Sequence, residues 1–378
     1  MQFIIPIEIK VRELESKILL LSKILSKKKN CSILFGNYKK IFNIKNLGTN
    51  LKICIDNGIS YEKEKYIRLL SKNIIPVVHD EEGAVCSKHS ETLKDHRGRN
   101  FKTSKFIYKI LVHGKIEKDK WISQGKIEKD KIIVVGNIKF ELCKPFFFNY
   151  FEKLFPIKKK IILINSAFAS GNPSIDYNIF TKYLKNYKKR YKNAHNLESR
   201  EKHHLYQAEL FRKFFEKFKN VLNNFKDEKF ILRPHPNEKS EVYEEMFKNI
   251  ANIKIVKNTS VTQWLYSAKM IIHPGCATAV EGYFANVPSI FFSPQIKNEE
   301  KYYQYLPVEL SDRAKNIDDL INLIKKNLID KNKKTINNDL LEQHIYNNQS
   351  ASDRFSEILR NITKKELQKF KKKFLFQK

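Results

Sequence analysis

The most restrictive feature of this chain is an alternation, met twice, of short β-branched runs with amphipathic stretches. The first series reads FIIPI (3–7), CSILFG (31–36), KICID (52–56), IIPVV (74–78), FIYKILVHG (106–114) and KIIVVG (131–136). Between its first two members lies RELESKILLLSKILSKK, apolar at helical spacing. Strands buried on both faces give continuous apolar runs, and parallel neighbours need a crossover between them. The pattern therefore predicts a parallel sheet covered by helices on both sides. A second series follows: IILIN (161–165), KFILRP (229–234), NIKIVK (252–257), KMIIHP (269–274) and PSIFFS (288–293).

Two such sheets in 378 residues make an α/β chain of two doubly wound, Rossmann-type domains, each large enough for its own core. The boundaries expected are 1–145 for the first domain and 146–160 for a linker, where prolines bracket an aromatic segment. The second domain is expected over 161–348 and a basic C-terminal helix over 349–378. Ligands of such sheets bind at the carboxyl ends of the strands, so a cleft shared by the two domains is the expected site.

Several classes drop out. No apolar run reaches the roughly 20 residues of a membrane span. The opening MQFIIPIEIKVRELE lacks the basic start and small-residue cleavage site of a signal peptide, which predicts a cytoplasmic protein. Cys31, Cys54, Cys86, Cys143 and Cys276 stand singly, with neither zinc nor disulfide spacing. G-x-G-x-x-G and the P-loop are absent, which speaks against dinucleotide enzymes and P-loop NTPases. The formal net charge of +31 fits anionic partners, or simply lysine used everywhere. With no nucleic-acid-binding motif, nucleic acid is not an expected partner.

Three stretches carry candidate chemistry. In LRPHP, Pro234 and Pro236 stiffen the chain around His235 beside Arg233, at a strand's end. This is either an ordinary strand exit or a histidine held for a ligand. In MIIHPGCATAVEG, a strand ends at His273, Gly275 allows a tight turn, and small residues open a helix near Cys276 or Ala277. The amides of Ala277, Thr278 and Ala279 are then expected as unpaired first-turn donors for a phosphate. The Thr278 hydroxyl would add a bond, and Glu281 would accept from a ribose. In VVHDEEGAV, Asp80, Glu81 and Glu82 follow a strand and precede Gly83, as a general base or nucleophile at an anomeric carbon, or as an acidic turn. Glu8, Lys10, Arg12 and Glu13 cluster at the end of the first strand.

Taken in order, IPIEIKVRELESK, HDEEG, VVGNIKFEL, ILIN, LRPHP, SVTQWLYSAKMIIHPGCATAVEG and VPSIFF resemble the bacterial surface carbohydrate biosynthesis proteins of lipopolysaccharide and capsule loci. The resemblance runs from about residue 3 to 295 and implies a GT-B-like fold, two Rossmann-type domains facing a cleft. RPHP and HPG-x-AT-x-x-E are more distantly similar to motifs of CMP-sialic acid and CMP-Kdo transferases and of CDP-glycerol polymerases. The likeness implies nucleotide binding by His235, Thr278 and Glu281, with Arg233, His273, Gly275, Cys276 and Ala277 around them. DEEG is similar to the Glu-Asp-Gly motif of retaining Kdo transferases, with Glu82 standing where Asp is usual. It implies chemistry at Glu81 and Glu82. In GNIKFEL, Gly136, Asn137 and Phe140 match, and Glu141 replaces a common Asp.

The function these features predict is transfer of a CMP-activated nonulosonic acid or Kdo-like sugar onto a glycan or lipid-linked acceptor of lipopolysaccharide or capsule. Catalysis would fall to Asp80, Glu81 or Glu82 with His235. Acceptor and sugar contacts would come from Glu8, Arg12, Glu13, Asn137 and Asn165. No metal and no cofactor beyond the donor is expected. The basic stretch ITKKELQKFKKKFLFQK (362–378) either rests on the anionic inner membrane or is a solvated helix. Competing classes are a CDP-polyol phosphotransferase, a hydrolysing nucleotide-sugar epimerase of the same fold, and a non-enzymatic assembly protein.

Overall fold

A computed structural model describes residues 1–27, 30–37, 40–41, 48–58, 63–81, 101–155, 160–174, 197–257, 259–296, 302–330 and 338–375. They fall into two compact units. One takes the described residues up to 81 with 101–142 and 338–375, and the other takes those of 143–330.

In the first unit β1 (Gln2–Ile7), β2 (Ser32–Asn37), β3 (Lys52–Asp56), β4 (Ile74–His79), β5 (Lys109–Val112) and β6 (Ile132–Val134) form one sheet. Its order is β2-β1-β3-β4-β5-β6, with every pairing parallel. The winding direction reverses between β1 and β3, where the flanking connections diverge and leave a crevice at the strands' carboxyl ends. Ile4, Ile53, Val77 and Ile110 are fully buried along these strands, as expected of a sheet covered on both faces. The helix Lys10–Lys27 buries Leu20 and Ile24, one turn apart.

The second unit holds β7 (Ile161–Asn165), β8 (Phe230–Arg233), β9 (Ile253–Ile255), β10 (Ala268–His273), β11 (Ser289–Phe292) and β12 (Asp312–Ala314). They pair in parallel in the order β12-β11-β10-β7-β8-β9. This is the arrangement of two βαβαβ halves, and its reversal lies between β7 and β10. The helix Leu197–Glu216 and the shorter Phe218–Asn224 cover one face with phenylalanine: Phe214, Phe215, Phe218 and Phe292 interlock with ring centroids 4.8–5.8 Å apart. The helix Phe148–Leu154, in the stretch read as a linker, belongs to this unit and buries Phe151. β12 has no counterpart in the sequence reading, because three residues reading DRA carry no apolar run.

After the second sheet the chain returns to the first unit. Residues 338–348, expected with the second domain, pack instead against the loops following β5 and β6. The Tyr346 amide donates to the His113 carbonyl at 2.8 Å. Gly136, at φ +86°, permits this approach: a Cβ there would lie 2.6 Å from the Tyr346 oxygen. The C-terminal region is two helices rather than one, Ala351–Asn361 and Lys364–Leu375. Ser350 and Ser352, at the start of the first, give their hydroxyls to the buried Glu141 carboxylate at 2.7 and 3.0 Å, and the Ser352 amide joins them at 2.8 Å. Phe355 and Leu359 complete the core of the first sheet, while Leu367 is buried and Phe370 meets Tyr108 edge-on at 5.4 Å. Among the described residues no helix is long and apolar enough to cross a membrane.

Candidate functional site

Each unit assembles polar groups at the point where its strand order reverses. In the second unit the centre is Asn165, the last residue of β7. Its amide nitrogen donates across the reversal to the Thr278 hydroxyl at 2.7 Å and to the Cys276 sulfur at 3.3 Å. Its amide oxygen accepts from the guanidinium of Arg233, the last residue of β8. Arg233 is held on its other side by the Thr259 carbonyl and, at 3.4 Å, by the Thr259 hydroxyl, which the Trp264 indole also meets at 3.0 Å. Arg233, Asn165, Cys276 and Thr278, separated by up to 113 positions, thus form one hydrogen-bonded row. Arg233 is a member of that row, not a loose cation.

The turn after β10 is built by His273. Its ring is fully buried, and Nδ1 accepts from the amides of Gly275 at 3.0 Å and Cys276 at 3.2 Å. Nε2 donates to the Ser311 hydroxyl at 2.8 Å, which in turn donates to the Pro307 carbonyl at 2.7 Å. Burial lowers the His273 pKa to about 3, so the ring is neutral. His273 therefore shapes the loop, and both of its nitrogens are engaged in doing so. Gly275 takes φ +97°, with Phe291 only 3.3 Å from where a Cβ would sit.

The helix Thr278–Phe284 differs from expectation at its entry. The Ala279 amide turns back to the Cys276 carbonyl at 3.2 Å. Of the three expected donors, the amides of Ala277 and Thr278 are left, among the described residues, without a hydrogen-bond partner in the protein. The Thr278 hydroxyl is an acceptor from Asn165, and Glu281 lies buried one turn on. Burial, with the Glu281 charge adding to it, pushes the Cys276 thiol up, which leaves it a neutral packing group and not a nucleophile.

His235 stands half-buried just past β8. Its backbone amide donates to the Ser166 hydroxyl at 3.0 Å, and its Nδ1 accepts from the Asn237 amide at 3.2 Å. Behind it lies Glu238, which the sequence reading passed over. Its buried carboxylate takes bonds from Ser166, Tyr243 and the Phe168 amide.

In the first unit the reversal between β1 and β3 holds a second network. Glu13, expected among the acceptor contacts, is buried and caps the helix Lys10–Lys27: its carboxylate accepts from the amides of Ile9 at 2.9 Å and Glu8 at 3.1 Å. Asn57, just after β3, donates to Glu13 at 2.9 Å and accepts from Lys17 at 3.0 Å. The Lys17 ammonium, only 2 % exposed, also pairs with Glu81 beyond β4. His79 Nδ1 lies 3.8 Å from the same Glu81 oxygen, and its Nε2 lies 3.5 Å from the Gly136 carbonyl. Burial alone would raise the Glu81 pKa, but Lys17 and then His79 hold the carboxyl well below its ordinary range. Lys17 is the functional candidate that sequence reading missed. Its position one helical turn after Glu13 is the only sequence signal that could have marked it, and a lysine-rich helix masks that signal.

Asp80 is buried at the end of β4, whereas Glu82 and Gly83 lie outside the described residues. Glu8 is exposed and Arg12 half-buried at the mouth of the first helix. Asn137 is buried; its oxygen caps the Lys139 amide at 2.8 Å and its nitrogen meets His113 Nδ1 at 3.4 Å. A sugar contact is not its visible task. Among the described residues no cluster of three His, Cys, Asp or Glu side chains has the spacing to hold a metal ion.

No family model and no curated protein matches the sequence. Solved structures do match the fold. The UDP-GlcNAc 2-epimerase of Neisseria meningitidis, bound to UDP-GlcNAc, superposes with a TM-score of 0.53 at 11% identity, covering 95% of this chain and 98% of that one. The UDP-GlcNAc 2-epimerase of Methanocaldococcus jannaschii, in complex with UDP-GlcNAc and UDP, gives 0.55 at 16%, covering 95% and 99%. The wall teichoic acid polymerase TagF gives 0.57 at 10%, covering 97% and 89%. These likenesses carry the fold: the chain has the GT-B-like architecture of two Rossmann-type units.

Proposed function

We propose that the protein is an enzyme acting on a nucleotide-activated sugar in surface-polymer synthesis, with the nucleotide held at the β7–β10 reversal of its second unit. The observation that supports this most is the Asn165 row. A crevice at a strand-order reversal is where doubly wound sheets take nucleotides, and Asn165 fixes Thr278, Cys276 and Arg233 around it. The Ala277 amide and the Arg233 charge suit a phosphate oxygen, with His235 beside them. Glu281 is assigned to the ribose.

The finer reading is transfer of a CMP-activated nonulosonic acid or Kdo-like sugar to a glycan or lipid-linked acceptor. Arg233 and His235 would stabilise the charge that develops on the departing CMP, so the scheme uses no resident cofactor. In the first unit, Glu81 is the carboxylate assigned to the sugar. Held ionised by Lys17, it is a weak proton acceptor, which favours a nucleophilic or charge-stabilising role over that of general base. Glu8 and Arg12 are left to the acceptor.

The helix Lys364–Leu375 turns Leu367 and Phe370 inward, against the first unit. Its exposed Lys364, Lys365, Lys369, Lys372 and Lys373 are assigned to electrostatic contact with an anionic membrane, without insertion.

A second reading has its own support. Two of the structural relatives are UDP-GlcNAc 2-epimerases and the third is a polymerase studied with CDPG. An epimerase would act on UDP-GlcNAc with no acceptor, and a polyol phosphotransferase would use a CDP-polyol. The test is to incubate the protein separately with a CMP-sugar, UDP-GlcNAc and CDP-glycerol, with and without lipid-linked acceptor, and follow nucleotide release. Acceptor-dependent CMP release is expected. Acceptor-independent turnover of UDP-GlcNAc would replace the transferase reading by the epimerase one.

A further inference from the structure

Glu238 belongs to no motif that drew attention in the sequence, yet it is the most heavily bonded carboxylate near His235. It is 6 % exposed. One oxygen accepts from the Phe168 amide, and the other from the Ser166 hydroxyl and the Tyr243 hydroxyl, each at 2.6 Å. These partners come from the exit of β7 and from the helix Glu241–Met246, so two segments converge on one side chain.

The bonds have a direction. The Ser166 hydroxyl has a single proton, and it goes to the Glu238 carboxylate at 2.6 Å in preference to the Arg233 carbonyl at 3.2 Å. The Ser166 oxygen is then an acceptor, and the His235 amide donates to it at 3.0 Å. The turn closes when the Glu238 amide donates to the His235 carbonyl at 2.9 Å. Inside that turn the Asn237 amide points at His235 Nδ1, at 3.2 Å. An amide N–H cannot accept, so Nδ1 must present a lone pair, and in the neutral ring the proton sits on Nε2.

We propose that Glu238 is a positioning residue: acting through Ser166 and the 235–238 turn, it selects the Nε2–H form of His235 and fixes where that donor points. This rests on the assignment of His235 to the nucleotide phosphate. An anion needs a donor, and a ring free to exchange tautomers offers the wrong nitrogen part of the time. A carboxylate serves better than a glutamine here because all three groups around it arrive as donors. Glutamine would set its NH₂ against one of them. Burial raises the Glu238 pKa while bonds from Ser166, Tyr243 and the Phe168 and His235 backbones oppose the shift. A side chain kept in so costly a place for mere packing would be replaceable by an apolar one.

The test uses the full chain with ¹⁵N-labelled histidine, in which long-range ¹H–¹⁵N spectra distinguish the two tautomers and His235→Gln assigns the signal. In the wild type His235 is expected as Nε2–H. In Glu238→Gln and, as a milder change, Ser166→Ala, it is expected as a mixture of tautomers, with affinity for CMP or whichever of UDP and CDP binds tightest about tenfold weaker. Tyr243→Phe, which leaves the Ser166 bond intact, should preserve the tautomer. An unchanged Nε2–H signal in both Glu238→Gln and Ser166→Ala overturns the proposal. If no nucleotide binds the wild type, the phosphate assignment fails, and the tautomer result still decides the role of Glu238.

Discussion

Replacing Lys17 with methionine is the sharpest perturbation of the first unit. The ammonium is 2 % exposed and is shared by Glu81, itself 14 % exposed, and Asn57. Methionine fills most of the same volume, so the change is chiefly in charge. Removing one partner of a buried pair leaves the other charged in a poor solvent, a loss of about 3–5 kcal/mol; the partial exposure of Glu81 places this case near 3 kcal/mol. For a domain of roughly 150–250 residues each kcal/mol moves the melting point by about 2–4 °C, so a fall of about 6–12 °C is expected by scanning calorimetry. Lys17→Met combined with Glu81→Gln should recover most of that loss, because no charge is then stranded. A loss below about 1 kcal/mol for Lys17→Met, or a double variant that loses the sum of the two single changes, would refute the buried pair.

Other outcomes follow from the same geometry. Acid should weaken the fold in two stages. Burial depresses the His273 pKa from 6.5 to about 3, so the unfolded chain binds a proton first and stability declines as pH falls below about 6.5. Glu81, also depressed, adds stability that is complete above about 4.5 and is lost as pH falls further, so Glu81→Gln/Lys17→Met should flatten this second stage in urea titrations at pH 3–5. Glu141→Ala strands three donors from Ser350 and Ser352; a loss of about 2–4 kcal/mol is expected, with hydrogen exchange accelerating first in 351–361. Gly136→Ala must bear a left-handed backbone and a clash with the Tyr346 carbonyl, so it should destabilise by about 1–3 kcal/mol in the same calorimetric assay.

How much of this was legible in the sequence depends on how local each signal is. Eleven strands announced themselves because buried parallel strands are runs of β-branched residues, and β12 stayed hidden because DRA is not one. Asn165, Arg233, Cys276 and Thr278 were all marked, since each sits at or just past a strand's end, and the structure joins them. Their division of labour was not legible. Arg233 and Thr278 bond to Asn165, the Ala279 amide bonds to Cys276, and His273 builds the turn; these are matters of direction that spacing does not encode. Lys17 and Glu238 escaped for the same reason. A lysine within a lysine-rich amphipathic helix and a glutamate in a polar loop look solvent-facing until tertiary packing closes over them. The return of 338–375 to the first sheet depends on Glu141 and Gly136, some 200 residues earlier.

The central claim, a nucleotide held at the β7–β10 reversal, is tested most directly by isothermal titration of CMP, CDP and UDP into the wild type and into Asn165→Ala and His235→Ala. The account predicts that CMP binds the wild type tightest of the three, and about tenfold or more weaker to each variant, with the melting temperature little changed in His235→Ala and lowered by a few degrees in Asn165→Ala, which strands Arg233 and Thr278. Tightest binding of UDP or CDP, lost in the same variants, would keep the site and replace the donor. Nucleotide binding that neither variant disturbs would contradict the account.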